Sequence, residues 1–414
     1  MAKEESTILE KEYLRILVHT TSLYDDIAAM AYFASLSKYK QFQIYYLPVD
    51  GCDEINGEQP GRYKHIRDKR IIYSTIQFSD CSGCIGTHHE INGVVFEELT
   101  SSDLDRMAER IIVSGNTYAA PFDLVVVSDE WASKNGTTRN KVFAFTDLRE
   151  TLRIYMIHTK QFYVSHWEQI DEFFYYVYRH KAMFRKFQPF WSSAVRSGST
   201  DSYDDALDNR LLQFSLCIDN IKATLLKEQN NITAMQLKYH LPYLTLVTTG
   251  TFDNLAWIIH NKYGLQLHRM KIDLKKSEYI DAVKVHSSAL AAFLSDKDVQ
   301  AQIDAIREIR DRIVHRDFIQ TIGAESRRTT ENYLFVDAIV KEKLVKAGFP
   351  SNGLPTITHS FVCVDIKVFV EFVESIIVEI VNAILGIISK EIYGTEDDIC
   401  VWQLLRFSQA PLVI

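Results

Sequence analysis

Proline and glycine are scarce in this chain, 8 and 16 of 414 residues, so it cannot be collagenous, linker-dominated or a low-complexity polymer. Cysteine is scarce as well: six residues scattered at 52, 81, 84, 217, 363 and 400 do not form a disulfide framework, which fits a reducing compartment. Positive charge is in deficit, with 46 Lys and Arg against 54 Asp and Glu and a net charge of −8, which excludes a protein that coats nucleic acid through its overall charge. Uninterrupted apolar runs are also missing. The most apolar late stretch, Phe361 to Ile388, is broken by Asp365, Lys367, Glu371, Glu374 and Glu379, so it reads as a buried amphipathic helix and not as a membrane span. Met1 to Lys11 is charged and polar and lacks the pattern of an export leader, so a cytoplasmic protein is expected.

What remains is a well-filled globular chain, 47% apolar and 12% aromatic, long enough for two domains. The first 150 residues read as an α/β layer domain with a mainly parallel sheet. Leu14 to His19 is an apolar strand, Asp25 to Ser37 a helix, Phe42 to Val49 a strand, Ser101 to Ser114 a helix, and Phe122 to Val127 a run suited to a buried parallel strand. Asp50 to Gly93 is rich in turn residues and reads as an irregular or β insertion. From Thr151 helical periodicity takes over, giving a connecting helix and linker over 151–199, an all-α bundle over 200–395 and a tail over 396–414. The expected helices are Trp167 to Arg185, Ala206 to Lys227, Thr233 to Tyr263, Ser277 to Leu294, Val299 to His315, Tyr333 to Ala347 and Val364 to Ile392. Pro242 is expected to kink or split the third, and Ser192 to Asp204 is the best linker.

The chemistry concentrates in Ile306 to Phe318, which places Arg307, Arg310, Arg312, His315 and Arg316 at a helix end of an acidic protein. On a helix Asp311 and His315 are i and i+4 and can meet on one face, while Ile306, Ile309 and Ile313 mark the core side. The plain alternative is a solvated basic helix end matched to the macrodipole.

Arg310-Asp311-Arg312-Ile313-Val314-His315 resembles the Arg-polar-x-x-x-His signature of HEPN domains, all-helical modules of many prokaryotic toxins, abortive-infection proteins and CRISPR-associated effectors. The surroundings are similar too, with Gly250 to Trp257 on a helix upstream, the motif at the end of a later helix and a long closing helix; the likeness spans roughly residues 200–395. The resemblance implies a metal-independent endoribonuclease with no cofactor. A substrate 2′-OH attacks the adjacent phosphorus, leaving a 2′,3′-cyclic phosphate and a 5′-hydroxyl. His315 would move the proton, Arg310 would hold the non-bridging oxygens, and Asp311 would orient the imidazole. Arg307, Arg312 and Arg316 would bind RNA. It further implies a homodimer in which two motif copies clasp one phosphate, and an effector of antiviral defence or a toxin. A non-catalytic protein of the same shape, binding a nucleotide, nucleic acid or partner, is the competing reading.

Three further signals are weaker. Cys81, Cys84 and His88 have a ligand-like spacing, but with only Cys52 as an obvious fourth ligand an ordinary reduced loop is the simpler reading. The N-terminal section faintly resembles a PIN-like nuclease, with Asp25, Asp26 and Asp129 as candidate ligands for Mg²⁺ or Mn²⁺. His19 stands where that resemblance expects an Asp, so a regulatory layer that binds a ligand or partner is preferred. Phe173 to Phe187 interleaves aromatic and basic residues; a core stripe of Phe173, Tyr176, Val177, His180 and Phe184 outweighs base stacking.

Overall fold

The computed structural model describes residues 8–18, 41–46, 63–67, 70–74, 89–91, 94–96, 123–135, 142–165, 168–227, 230–315, 321–325, 330–354, 356–358 and 361–395, together with Leu23, Ala29, Tyr32, Phe33, Leu36 and Tyr39. The chain divides into two compact units, Met1–Gln161 with Glu325–Thr330, and Phe162–Ala324 with Glu331–Ile414.

The first unit is α/β. Its strands are β1 (Leu14–Val18), β2 (Phe42–Tyr46), β3 (Tyr63–Arg67), β4 (Arg70–Ser74), β5 (His89–Ile91), β6 (Val94–Phe96), β7 (Leu124–Val127) and β8 (Val142–Ala144). Six of them form one sheet in the order β4-β3-β2-β1-β7-β8, and β5 pairs with β6. Neighbours β2, β1, β7 and β8 run parallel, while β3 and β4 add an antiparallel hairpin within the segment expected to be an insertion. β7 is apolar and buried along its whole length, as is β1 apart from the partly exposed Arg15, which fits the interior of a parallel sheet. Two helices with described bounds are α1 (Asp129–Asn135) and α2 (Phe145–His158), the latter with Leu148, Leu152 and Tyr155 buried; Leu23, Ala29, Tyr32, Phe33 and Leu36 are helical as well. At the edge of β1, Asp123 pairs with Arg15 (3.1 Å) and Lys11 (2.8 Å). Burial acts to raise the Asp123 pKa, but the hydrogen bonds from Arg15 and Lys11 prevail and hold it below the usual carboxylate range.

The second unit is mainly helical. A small hairpin of β9 (Tyr163–Ser165) and β10 (Glu168–Gln169) leads into α3 (Glu172–Met183), α4 (Phe187–Ser197), α5 (Ser202–Leu226) and α6 (Asn231–Lys262). Then come α7 (Ser277–His286), α8 (Ser288–Leu294), α9 (Lys297–His315), β11 (Thr321–Glu325), β12 (Thr330–Val336), α10 (Ala338–Lys346), β13 (Thr356–Thr358), β14 (Phe361–Asp365) and α11 (Ile366–Tyr393). α11 is the core axis: Ile366, Phe369, Val373, Ile377, Ile380, Ile384 and Ile388 are fully buried, although by length and composition alone this helix could cross a membrane. α5 and α6 form its largest helical hairpin, each opened by a reciprocal capping box, Asp201 with Asp204 and Asn230 with Thr233.

Several expectations are corrected. The bundle is not all-α, because β12 and β14 pair antiparallel within a four-stranded sheet, β11-β12-β14-β13. Tyr333 to Val336 is strand, and the helix starts only after Asp337 caps it. The helix expected from Trp167 starts at Glu172, behind the β9-β10 hairpin. Over 151–199 there is no free linker: α2 runs to His158, and α3 and α4 are packed helices. Ser192 to Ser197 completes α4, Gly198 ends it at φ +65°, and Asp201 caps α5. Pro242 does not split α6, and Ser287 divides the expected 277–294 helix by capping α8.

Candidate functional site

α9 starts where the Asp296 side chain accepts hydrogen bonds from the backbone N–H groups of Asp298 and Val299. Its core face is Val299, Ile303, Ile306 and Ile309, all buried, so the opposite face and the C-terminal turn carry the charges.

Those charges are mostly engaged. Arg307 donates to Asp273 at 2.7 Å and to Asp253 of α6 at 3.3 Å. Arg312 pairs with Glu308 (2.9 Å) one turn back and with Asp337 (2.9 Å) before α10. Lys343 of α10 bridges Glu308 (2.6 Å) and Asp304 (3.1 Å), and Lys275 also pairs with Asp304. This ribbon ties α6, α9 and α10 together on one side. Burial would raise Asp273, but the hydrogen bonds from Arg307 and the Lys275 N–H hold its carboxyl below the usual range; Glu308 is held low chiefly by Lys343. The Asp253 carboxyl sits above its ordinary pKa because the protein desolvates it, and the charges of Arg307, Arg310 and Arg210 only partly offset that.

Arg310 differs from its neighbours. It is one-third exposed; among the described residues its one carboxylate partner is the exposed neighbour Asp311 (2.6 Å), and its enclosed Nε has no hydrogen-bond partner. Asp311 is therefore spent on Arg310 in this structure. His315 is the last residue of α9; its side chain and all of Arg316 lie outside the described residues.

Sequence reasoning missed Arg210 of α5. A Cβ at Gly250 of α6 would fall 1.6 Å from Arg210 Nη1, so the guanidinium lies directly on the glycine backbone. Among the described residues no carboxylate pairs with Arg210. The available signal was Gly250 itself, a glycine inside a long apolar helix, which marks a close approach. Arg210, Arg307 and Arg310 thus act together on Asp253, gathering cations from two helices around one carboxylate.

The remaining candidates have structural duties where they are described. Asp129 accepts hydrogen bonds from the Thr146 N–H (3.2 Å) and Oγ1 (2.5 Å), anchoring the start of α2; Asp25, Asp26 and His19 lie outside the described residues, as do Cys52, Cys81, Cys84 and His88. Of the expected stripe, Tyr176, His180 and Phe184 are buried, with Tyr175 and Arg179 beside them, whereas Phe173 is 59% exposed and stands off the core, as does Phe174 at 54%. Arg179 is buried against Asp219 and Glu374 (both 3.2 Å) and is not free for phosphate. Cys217 is buried and its thiol is pushed up to about 12, which makes it unreactive.

No family model, no curated protein and no solved structure matches the chain.

Proposed function

We propose that this protein is a metal-independent endoribonuclease of the HEPN kind, acting as an effector of antiviral defence or as a toxin. The observation that carries the reading is Arg310. Where Arg307 and Arg312 are latched to carboxylates of other elements, Arg310 has, among the described residues, only its exposed neighbour Asp311 and lies within electrostatic reach of Asp253, as does Arg210. An incoming phosphodiester would displace Asp311 and take the open Nη edge of the guanidinium in a planar, charge-assisted clasp. His315 closes the same helix, five residues on, and would take the 2′-OH proton or protonate the leaving 5′-oxygen. Arg210 adds a second fixed charge for the phosphate oxygens in the transition state. Arg307 and Arg312 serve best as braces holding α9 in register, while Arg316 remains a candidate RNA contact. The protein works as a homodimer, and its α/β unit serves as a regulatory layer for a ligand or partner.

The test is cleavage of a mixed RNA pool in EDTA by wild type, Arg310→Ala and His315→Ala, with end-group analysis. Cyclic-phosphate ends made by wild type alone, with each variant slowed at least ~100-fold, support the reading. Equal activity in all three, or activity that EDTA abolishes, overturns it. The ion-pair ribbon favours one competitor, a binding protein whose basic helix end is purely structural; that reading expects both alanine variants to bind RNA or partner as wild type does and none to cut.

A further inference from the structure

The first half of α6 carries an apolar face that nothing among the described residues covers. Ile232 is 67% exposed, Met235 69%, Tyr239 71%, Tyr243 37% and Leu246 45%. Between Asn231 and Leu246 the single charged residue on the exposed surface is Lys238, in a protein that is 24% charged. Beside the stripe, Cys217 of α5 donates its thiol to the His240 carbonyl (3.5 Å), which brings Leu216, 39% exposed, with Gln213 and Asn220, alongside.

The spacing of the stripe is a palindrome. Counted from Tyr239, the apolar positions lie at −7, −4, 0, +4 and +7, so the steps run three, four, four, three. That is the apolar seam of two helices packed side by side, and it reads the same in both directions. A surface of this kind is complementary to itself under a two-fold rotation. These six apolar residues, each 37–71% exposed, supply the apolar centre of an interface of standard size, to which each partner gives ~800 Å². A lipid surface would call for a continuous row of cations along the polar margin, whereas between Asn231 and Leu246 α6 itself supplies only Lys238, with Arg210 and Lys227 of the preceding segment beside it.

We propose that α6 is the homodimer interface, packed antiparallel against α6 of a second copy with Tyr239 on the two-fold axis. Ile232 then meets the partner's Leu246, Met235 meets the partner's Tyr243, and Tyr239 meets the partner's Tyr239. The proposal stands whether or not the protein cuts RNA. It also departs from the shared site that the family resemblance implies: Asp253 lies fourteen residues beyond Tyr239, about 21 Å along the helix. The two candidate sites are then about 40 Å apart, so each copy works with its own Arg210, Arg310 and His315.

The experiment combines mass and cross-linking on the full chain. Sedimentation should give a species of twice 47.8 kDa for wild type. Tyr239→Glu, which keeps its helical circular dichroism because the side chain is exposed, should weaken dimerisation about 1,000-fold, since one substitution removes two hot-spot residues, each worth roughly 30-fold. Tyr239→Cys oxidised with copper phenanthroline should form a covalent dimer beyond the wild-type background, reversed by dithiothreitol. Ile232→Cys alone should not, whereas Ile232→Cys mixed with Leu246→Cys should. A wild-type monomer at every concentration overturns the proposal, as does a dimer indifferent to Tyr239→Glu. Cross-linking of Ile232→Cys to itself would mean a parallel pair and overturns it too, and so would binding of monomers to lipid vesicles through the stripe.

Discussion

The two halves of α6 are one helix under opposite rules. From Val247 to Ile259 it is almost wholly buried, with Phe252, Leu255, Ala256, Ile258 and Ile259 closed within the core of the helical unit and Asp253 turned toward the arginines of α5 and α9. From Ile232 to Leu246 only every third or fourth residue is buried, through Leu237, Leu241 and Leu244, and the opposite side is apolar without being covered. A helix can therefore be specified along its length by its own fold in one part and by an external surface in another. Apolarity by itself does not say which.

The comparison can be broken most forcefully with matched truncations. Phe252→Ala should destabilise the helical unit by about 3–5 kcal/mol through the cavity it leaves, whereas Tyr239→Ala should shift the stability of the dilute monomer by less than ~0.5 kcal/mol. Urea midpoints of the two variants decide the matter, and equal losses would mean that the first half is internally packed after all. A smaller effect is expected at the charged end. Arg307→Ala leaves Asp273 and Asp253 without their shared donor and should cost about 1–3 kcal/mol, against no measurable change for the exposed Lys238→Ala.

Acid sharpens the same contrast. Asp273 and Glu308 are held below their ordinary pKa in the folded chain, so their stabilisation is complete above the unfolded value of about 4 and is lost as pH falls through the lowered folded values. Asp253 is raised and works the other way, its burial cost easing on protonation. The urea midpoint should thus drop between neutral pH and about pH 3, and Asp273→Asn should drop less than wild type. A small change in stability, of the opposite sign, is expected for Gly250→Ala. Helix propensity favours alanine by about 1 kcal/mol, and the clash falls on the flexible end of Arg210, which moves aside. Stability should hold or rise slightly while any RNA cleavage falls; an unchanged cleavage rate would remove Arg210 from the site.

Much of the outline was legible before the fold. β1, β7 and α11 are long or dense enough in apolar residues for periodicity to find them, and α5, α6 and α9 carry clear capping residues. Short strands were not legible: Tyr333 to Val336 and Phe361 to Asp365 are brief apolar runs abutting helices, and their partners lie far along the chain. In α3, four consecutive aromatics at 173–176 satisfy two helical registers equally, and packing chose the one that buries Tyr175 and Tyr176. At the candidate site Arg310 and His315 were visible as a spacing, but the ion pairs that occupy Arg307 and Arg312 were not, because Asp273, Asp253 and Asp337 come from other elements.

The sequence alone determined where the apolar stripes and caps fall, hence an α/β section followed by a mainly helical one, since these depend on neighbours within a few residues. Only the tertiary structure decided which cations are spent, which glycine makes room for Arg210, and which apolar face of α6 stays open. Charge pairing and burial are set by residues brought together across 25 to 54 positions, from Arg312–Asp337 to Arg307–Asp253, and no local spacing records that distance.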